Sequence, residues 1–404
     1  MSNVVSVAIE IVFFSSIALV VYAYLGYPIV IFALSRMLGR PVRRSAITPA
    51  VSVIIAAHNE EKDIGAKIEN TLSLDYPREK LEVVVASDCS SDRTDEIVRS
   101  YADRGVKLHR QPERLGKTVA QNEAVKVSSG EVLVFSDATT VYEHKALRNI
   151  VRGFGDPEIG CVAGRLEYVD SKTSCVGGGC RSYWSYEGFL RKCESHLGSL
   201  IGVSGCLYAV RRSSYSRMAL DMSSDFVIAL ETRLQGLRTV FDEDAVAFEE
   251  TNHRGRDEFR MRVRVIEQTL SALHRYRELL DYRKHGLFAF QAISHKALRY
   301  ATAFFLLCAF VSNLLLIGES FGFLMLFSAQ VVFYLAAAIG WCCDRIGVRA
   351  GPLMIPFYFA LTNAASLLGF LKFMRGEAHL VWEPLREPAD RRLPALDEAG
   401  ASVQ

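Results

Sequence analysis

Carboxylates collect where apolar runs end. Val51 to Ala57 stops at His58-Asn59-Glu60-Glu61, Leu81 to Ala86 delivers Asp88, Ser90 and Asp92, and Glu131 to Phe135 stops at Ser136-Asp137-Ala138-Thr139. Gly116-Lys117 lies between the last two, at the head of a stretch with helical character. A flexible glycine followed by a cation at a helix N-terminus suits a phosphate group. A single aspartate after a strand also serves as a turn or cap residue, so the weight rests on the recurrence.

Positioning such groups requires buried strands alternating with helices. The run Val51 to Ala57 is continuously apolar and β-branched, as a parallel strand covered on both faces would be. Ile64, Ile68, Leu72 and Leu74 keep near-helical spacing, and Tyr76-Pro77 closes that element. Leu81 to Ala86 is the next buried strand, Val106 to His109 a shorter one, and Gln111 to Ser129 begins as a loop and becomes a helix. In an open α/β sheet, ligands bind outside the carboxyl ends of the strands. The polar clusters should therefore face one crevice.

The ordered set of a strand ending in HNEE, a strand ending in SDCSSD, then GKTVAQNEA and VLVFSDA resembles the GT-A domain of the family 2 inverting glycosyltransferases, which include cellulose, chitin and hyaluronan synthases. The resemblance extends over roughly 51 to 273. It implies an α/β fold, a mostly parallel sheet flanked by helices, with transmembrane helices at both ends. It also implies that Ala57, Asn59, Glu60, Asp88, Lys117, Asp137, Gly205, Arg260 and Arg264 bind a nucleotide sugar, most simply a UDP-sugar, with Asp88 reading the base. Asp137 matches the first aspartate of the family's D-x-D motif, which holds Mg2+ or Mn2+, but Thr139 stands at the second. Asp225, in DMSSDF, matches the general base; a helix N-cap at Ser224 or Asp225 is the structural alternative. The Q-x-x-R-W motif of the processive members is missing. In its place EFRMRVR keeps Arg260 and Arg264 on one helical face, with Arg262 pointing elsewhere.

The rest of the catalytic stretch reads as strands and helices. Cys161 to Tyr168 is a strand, and Tyr183 to Leu200 is an amphipathic helix that faces either the membrane or the core. Its Trp184 is a speculative contact for an acceptor sugar, since indoles stack on apolar sugar faces. Ile201 to Arg212 is a small-residue turn and a strand, in which Gly205 permits close approach of backbone. Gly236 to Glu250 is a strand with an acidic loop.

The composition localises the rest of the chain. A net charge of +2 over 404 residues excludes a strongly basic nucleic-acid binder. Mean hydropathy is +0.15, and the excess sits at the two ends. Val7 to Leu34 is long enough to cross a bilayer, and Arg36, Arg40, Arg43 and Arg44 follow it. The positive-inside rule puts that flank, and the catalytic domain with it, in the cytoplasm. The nine cysteines of the chain are most simply free thiols in such a setting. Three further apolar segments cover about 300–317, 321–342 and 353–373, and if all four cross, both termini lie outside. Lys372, Arg375, Arg386, Arg391 and Arg392 contradict that placement unless one segment is re-entrant or interfacial.

The expected organisation is an anchor (1–36), a basic linker (37–50), a GT-A domain (51–280), an interfacial helix (281–299), C-terminal membrane helices (300–374) and a tail (375–404). The resemblance implies an integral protein of a bacterial inner membrane that adds sugar to a growing extracellular or capsular polysaccharide. Its partners would be a polysaccharide or lipid-linked acceptor, membrane lipids, and proteins of an export system. Addition of a single sugar to a polyprenyl- or lipid-linked acceptor is the alternative that the missing motif favours. Thr139 in the metal motif motivates a third, a non-catalytic scaffold that binds a sugar nucleotide.

Overall fold

The computed structural model describes residues 3–169, 175–219, 222–250, 254–348 and 350–377. A long helix, α1 (Asn3–Leu38), leads into β1 (Val51–Ala57), α2 (Ile64–Leu72), β2 (Leu81–Ser87) and β3 (Val106–Arg110). Then come α3 (Lys117–Val127), β4 (Val132–Asp137), the two-residue β5 (Val141–Tyr142), β6 (Ile159–Val169) and α4 (Cys175–Leu197). The domain closes with β7 (Tyr208–Arg211), α5 (Ser224–Leu234), β8 (Arg238–Glu250) and α6 (Gly255–Arg275).

One eight-stranded sheet holds these strands in the order β3-β2-β1-β4-β7-β6-β8-β5. Pairing is parallel from β3 through β4, and β7 runs antiparallel to both β4 and β6. The sheet is thus mixed, with its parallel half on the side the apolar runs specify. Every residue of β1 is buried, because helices cover both faces. The sheet has a core on each face, one built with α2 and the other with α3, α5 and the end of α6.

β8 corrects the expectation of an acidic loop between 236 and 250. It runs unbroken through Asp242, Glu243 and Asp244, with a shift of register against β6 between Gly164 and Arg165. A bulge of this kind bends the strand and re-aims the residues beyond it. Its charges are paired: both oxygens of the buried Asp242 accept from Arg152 at 2.7 Å, and Glu243 meets Lys192 at 2.8 Å.

Among the described residues, four helices are long and apolar enough to cross a membrane: α1, α7 (Leu287–Leu316), α8 (Phe321–Arg345) and α9 (Gly351–Met374). The first half of α1 lies antiparallel to α7, since Tyr22 Oη meets Ser294 Oγ at 3.1 Å and Ser6 donates to Glu319, just past α7, at 2.8 Å. Both carry a π turn at that junction, Tyr22–Gly26 and Ala292–Ala297. Pro28 follows the first, and a proline inside a helix removes one ladder hydrogen bond and disturbs the turn before it. The lead-in expected over 281–299 is not a separate element: from Leu287 it is the start of α7.

α9 packs against α6 from end to end. Phe357 closes on Gly255, Tyr358 donates to Glu258 at 2.9 Å, Gly369 sits on Val263 and Ile266, and Phe373 meets His274 with ring centroids 6.0 Å apart. α6 is a charged amphipathic helix whose Ala272 and Leu273 belong to the core of the catalytic domain. Both ends of α9 therefore lie at the level of that domain.

α4 packs between α1 and the sheet. Leu190, Cys193 and Leu197 pack on Tyr27 and Ile31 of α1, while Ser195 receives the Phe241 amide of β8 at 2.8 Å.

Candidate active site

The carboxyl edge of the parallel strands is sharply turned. Asn59 and Cys89, just past β1 and β2, both take a left-handed backbone, with φ of 53° and 55°. Asparagine tolerates this region because its short polar side chain bonds locally, and here Asn59 Oδ1 accepts from the Ser91 amide at 2.6 Å. The Asn59 amide donates to Ser90 Oγ at 3.0 Å, and the buried Glu60 donates its amide to Thr94 at 2.7 Å. The Ala57 carbonyl accepts from the Asp88 amide at 2.9 Å. Ala57, Asn59 and Glu60 thus form the floor that joins the two strand ends.

Asp88 is buried, and its two oxygens accept the amides of Leu115 and Gly116, each at 2.9 Å. Its carboxylate therefore pins the turn before α3. Gly116 takes φ of 94°, a conformation that only glycine adopts cheaply, and the turn delivers Lys117 to the first position of α3. Asn122, one turn further on, accepts from Tyr215 Oη at 2.8 Å and from the Met218 amide at 3.1 Å. This ties α3 to the segment that leads to Asp225.

Lys117, Asp137, Gly205 and Asp225 converge. Lys117 Nζ is paired with Asp137 Oδ1. A Cβ placed on Gly205 would lie 3.0 Å from Lys117 Nζ, 3.5 Å from Asp225 Oδ2 and 3.8 Å from Asp137 Oδ2. The absent side chain is thus what lets three charges meet at one point. Burial alone would lower the Lys117 pKa, but the carboxylates of Asp137 and Asp225 outweigh it and hold the ammonium above its ordinary value. Asp225 lies inside the first turn of α5; the N-cap is Ser223, whose hydroxyl donates to the Asp225 carboxylate. The capping alternative for Ser224 or Asp225 does not describe this helix start.

A second carboxylate adjoins Asp137, from a residue that the motif did not suggest. Glu249, near the end of β8, brings its oxygen within 4.8 Å of ligand atoms of Asp137 and Cys206. Thr139, in the D-x-D position, lies 3.4 Å from Glu249 Oε1 as a hydrogen-bond donor, and Cys206 Sγ donates to Oε2 at 2.7 Å. Burial, then the charge of Asp137, raises the Glu249 pKa. Burial and the neighbouring Glu249 push the Cys206 thiol well up. A protonated thiol is a poor partner for a hard cation, so two carboxylates are the ligands this chain offers, a donor set that fits Mg2+ or Mn2+. The signal that could have found Glu249 is the pair Glu249-Glu250 directly after the apolar run Ala245 to Phe248.

The two expected arginines lie on α6. Among the described residues, neither Arg260 nor Arg264 is hydrogen-bonded or ion-paired to Lys117, Asp137, Asp225 or Glu249, and Arg260 is exposed on α6. Arg262 does point away, donating to Glu258 at 2.7 Å and lying 4.5 Å from the centre of the Tyr183 ring. Trp184 is half-buried, its ring 5.5 Å from that of Tyr168, the residue that pairs with Glu249 across the sheet.

Lys67 stands behind the cluster, buried, 3.5 Å from the Tyr142 ring centre, with no hydrogen bond to its ammonium. Burial outweighs the attraction of Asp137, Cys206 and Glu249 and lowers its pKa from 10.5 to about 7. The folded state then binds fewer protons than the unfolded state between those values, so stability rises with pH across the window. Replacing a buried charge with an apolar side chain of similar volume often stabilises, by about 1–4 kcal/mol. Lys67→Met is expected to raise the Tm at pH 7 and to flatten its rise toward pH 9, as thermal unfolding at the two pH values would report. An unchanged pH slope would place the titration in another group.

Residues 52–217 match the family model Glycosyl transferase family 2. The chain is 33% identical over 129 residues to the probable glycosyltransferase YdaM of Bacillus subtilis, which covers 30% of this chain and 31% of that protein. It is 26% identical over 208 residues to the poly-beta-1,6-N-acetyl-D-glucosamine synthase of Staphylococcus aureus, 49% of each chain. The matched stretch spans less than half the length of these relatives. Among solved structures, the mannosyltransferase PcManGT from Pyrobaculum calidifontis, in complex with GDP-Man and Mn2+, superposes with a TM-score of 0.69 over 91% of this chain and 99% of that one. At 22% identity that likeness is one of fold. The chain therefore carries a family 2 glycosyltransferase domain of GT-A-like fold, flanked at both ends by apolar helices.

Proposed function

We propose that this chain is a membrane-bound inverting glycosyltransferase that moves a sugar from a UDP-sugar to a hydroxyl of a growing polysaccharide. The observation that carries the reading is the meeting of Lys117, Asp137 and Asp225 around Gly205, with Glu249 adjoining. Asp225 takes the proton of the acceptor hydroxyl as it attacks the anomeric carbon, opposite the leaving diphosphate. Lys117 offers its ammonium to that diphosphate, a stabilisation aimed at charge that grows in the transition state. A divalent cation, when bound, supplies the same neutralisation, and Asp137 and Glu249 would hold it. Thr139 and Cys206 orient Glu249. With Glu249 present, Thr139 no longer argues for a scaffold without catalysis.

The packing of α9 supports a topology of three crossings. α1, α7 and α8 cross, while α9 lies in the interface plane between α6 and the other helices. Three crossings leave the basic flank of α1 and the Lys372–Arg375 flank on the same side, the cytoplasm, where both prefer to be. Residues 51–280 form the catalytic domain on that side of a bacterial inner membrane, with export partners acting across it.

Product length tests the acceptor. The purified full chain in detergent, given a panel of UDP- and GDP-sugars with Mg2+ or Mn2+, should consume one UDP-sugar and yield chains of many sugars. A product extended by one sugar only would replace the polysaccharide reading with single transfer, the outcome that the missing Q-x-x-R-W motif favours.

A further inference from the structure

Arg191 is 8% exposed, yet it has no carboxylate partner and no hydrogen bond among the described residues. Its guanidinium stands 5.0 Å from the Trp184 ring centre, at the seam between α4 and the start of α7. Lys296 and Arg299 approach from α7, and the charges of Arg191 and Lys296 are close enough to repel. Among the described residues, the carboxylates at this seam are Glu187 and Glu194. Glu187 receives Arg299 at 3.1 Å, Lys296 at 3.7 Å and His295 at 3.1 Å, and Glu194 receives the other nitrogen of His295 at 2.7 Å. Three fixed cations thus face two carboxylates, before His295 is counted. Arg262 does not alter the sum, since Glu258 matches it. A buried surplus of positive charge is costly unless an anion completes it.

Arg299 leads toward an apolar groove. One turn beyond Arg299, Ala303, Leu306, Leu307 and Phe310 line a groove of about 320 Å³ with Phe359 and Asn363 of α9. Tyr24 links the two regions: Arg299 lies 5.8 Å from its ring centre, and Asn363 donates to its hydroxyl at 3.2 Å. The Asn363 amide oxygen is buried and has no hydrogen bond.

We infer that this seam is a binding site for one anionic membrane lipid, its phosphate held by Arg191 and Lys296 and its chain laid in the groove beside Ala303. Charge complementarity selects the head and the apolar lining selects the chain; a guanidinium and an ammonium together suit a phosphate oxyanion. The site sits where α7 leaves the cytoplasmic face, the level at which lipid headgroups lie. It requires neither sugar donor nor metal, so it stands apart from the transfer reaction.

Native mass spectrometry of the full chain, offered phosphatidylglycerol and phosphatidylcholine with the same acyl chains, reads it directly. Retention of one phosphatidylglycerol, preferred by roughly fivefold or more, is expected from a single added basic contact near the headgroup. Arg191→Gln should bring the preference to parity, with Lys296→Gln as the second variant if the first does not fold. Ala303→Phe, which fills the groove and spares the cations, should lose the lipid. Parity in the unaltered protein, an undiminished preference in both cation variants, or retention by Ala303→Phe would overturn the site. So would displacement of the lipid by millimolar inorganic phosphate, which would make it a site for the free ion.

Discussion

Asp225→Asn should lower sugar transfer by roughly 10²–10⁴-fold, the contribution of a positioned general base. The amide keeps the shape of the side chain and can still bond Ser223, so the start of α5 and its tie to α3 should survive. What is lost is an oxygen basic enough to take a proton beside the point where Lys117 and Asp137 meet. Donor affinity should change little, because the residues proposed to hold the diphosphate and its metal, Lys117 and Asp137, lie on α3 and at the end of β4. A Kd for the donor that moves in parallel with the rate would instead assign Asp225 to donor binding.

Glu249→Gln should raise the metal concentration needed for half-maximal activity by at least about 10–100-fold, the effect seen when even outer partners of a metal site are removed. The carboxylate has no substitute nearby, since Thr139 carries only a hydroxyl and the Cys206 thiol stays protonated. Thr139→Val is the informative comparison. It removes one hydrogen bond of 3.4 Å, worth about 1 kcal/mol or less, and should shift the metal requirement by roughly fivefold at most. Equal effects from the two variants would return the metal site to the Asp137–Thr139 turn and leave Glu249 structural.

The parallel half of the sheet was legible because each of its central strands is an uninterrupted apolar, β-branched run. Lys117, Asp137, Gly205 and Asp225 were legible because each sits at an element end that the local pattern marks. Glu249 was not, because its place depends on pairing between β8 and β6: Glu249 lies opposite Tyr168, some eighty residues away. The acidic run Asp242 to Asp244 resembles a loop since nothing local announces Arg152 or Lys192 as its partners. Arg260 and Arg264 share a helical face, which suggests a common site, but only tertiary packing fixes the direction that α6 turns. In the same way, the length and composition of the last apolar segment fit a crossing. Its contacts with the charged α6 do not.

The most direct test of this mechanism is to measure donor binding and nucleoside diphosphate release in one preparation, the full chain reconstituted in lipid, for the unaltered protein and Asp225→Asn. The mechanism predicts release from one nucleotide sugar that depends on Mg2+ or Mn2+, and a variant that binds that donor as well but releases almost nothing. Release by Asp225→Asn within about tenfold of the unaltered protein, well short of what loss of a base causes, would contradict it.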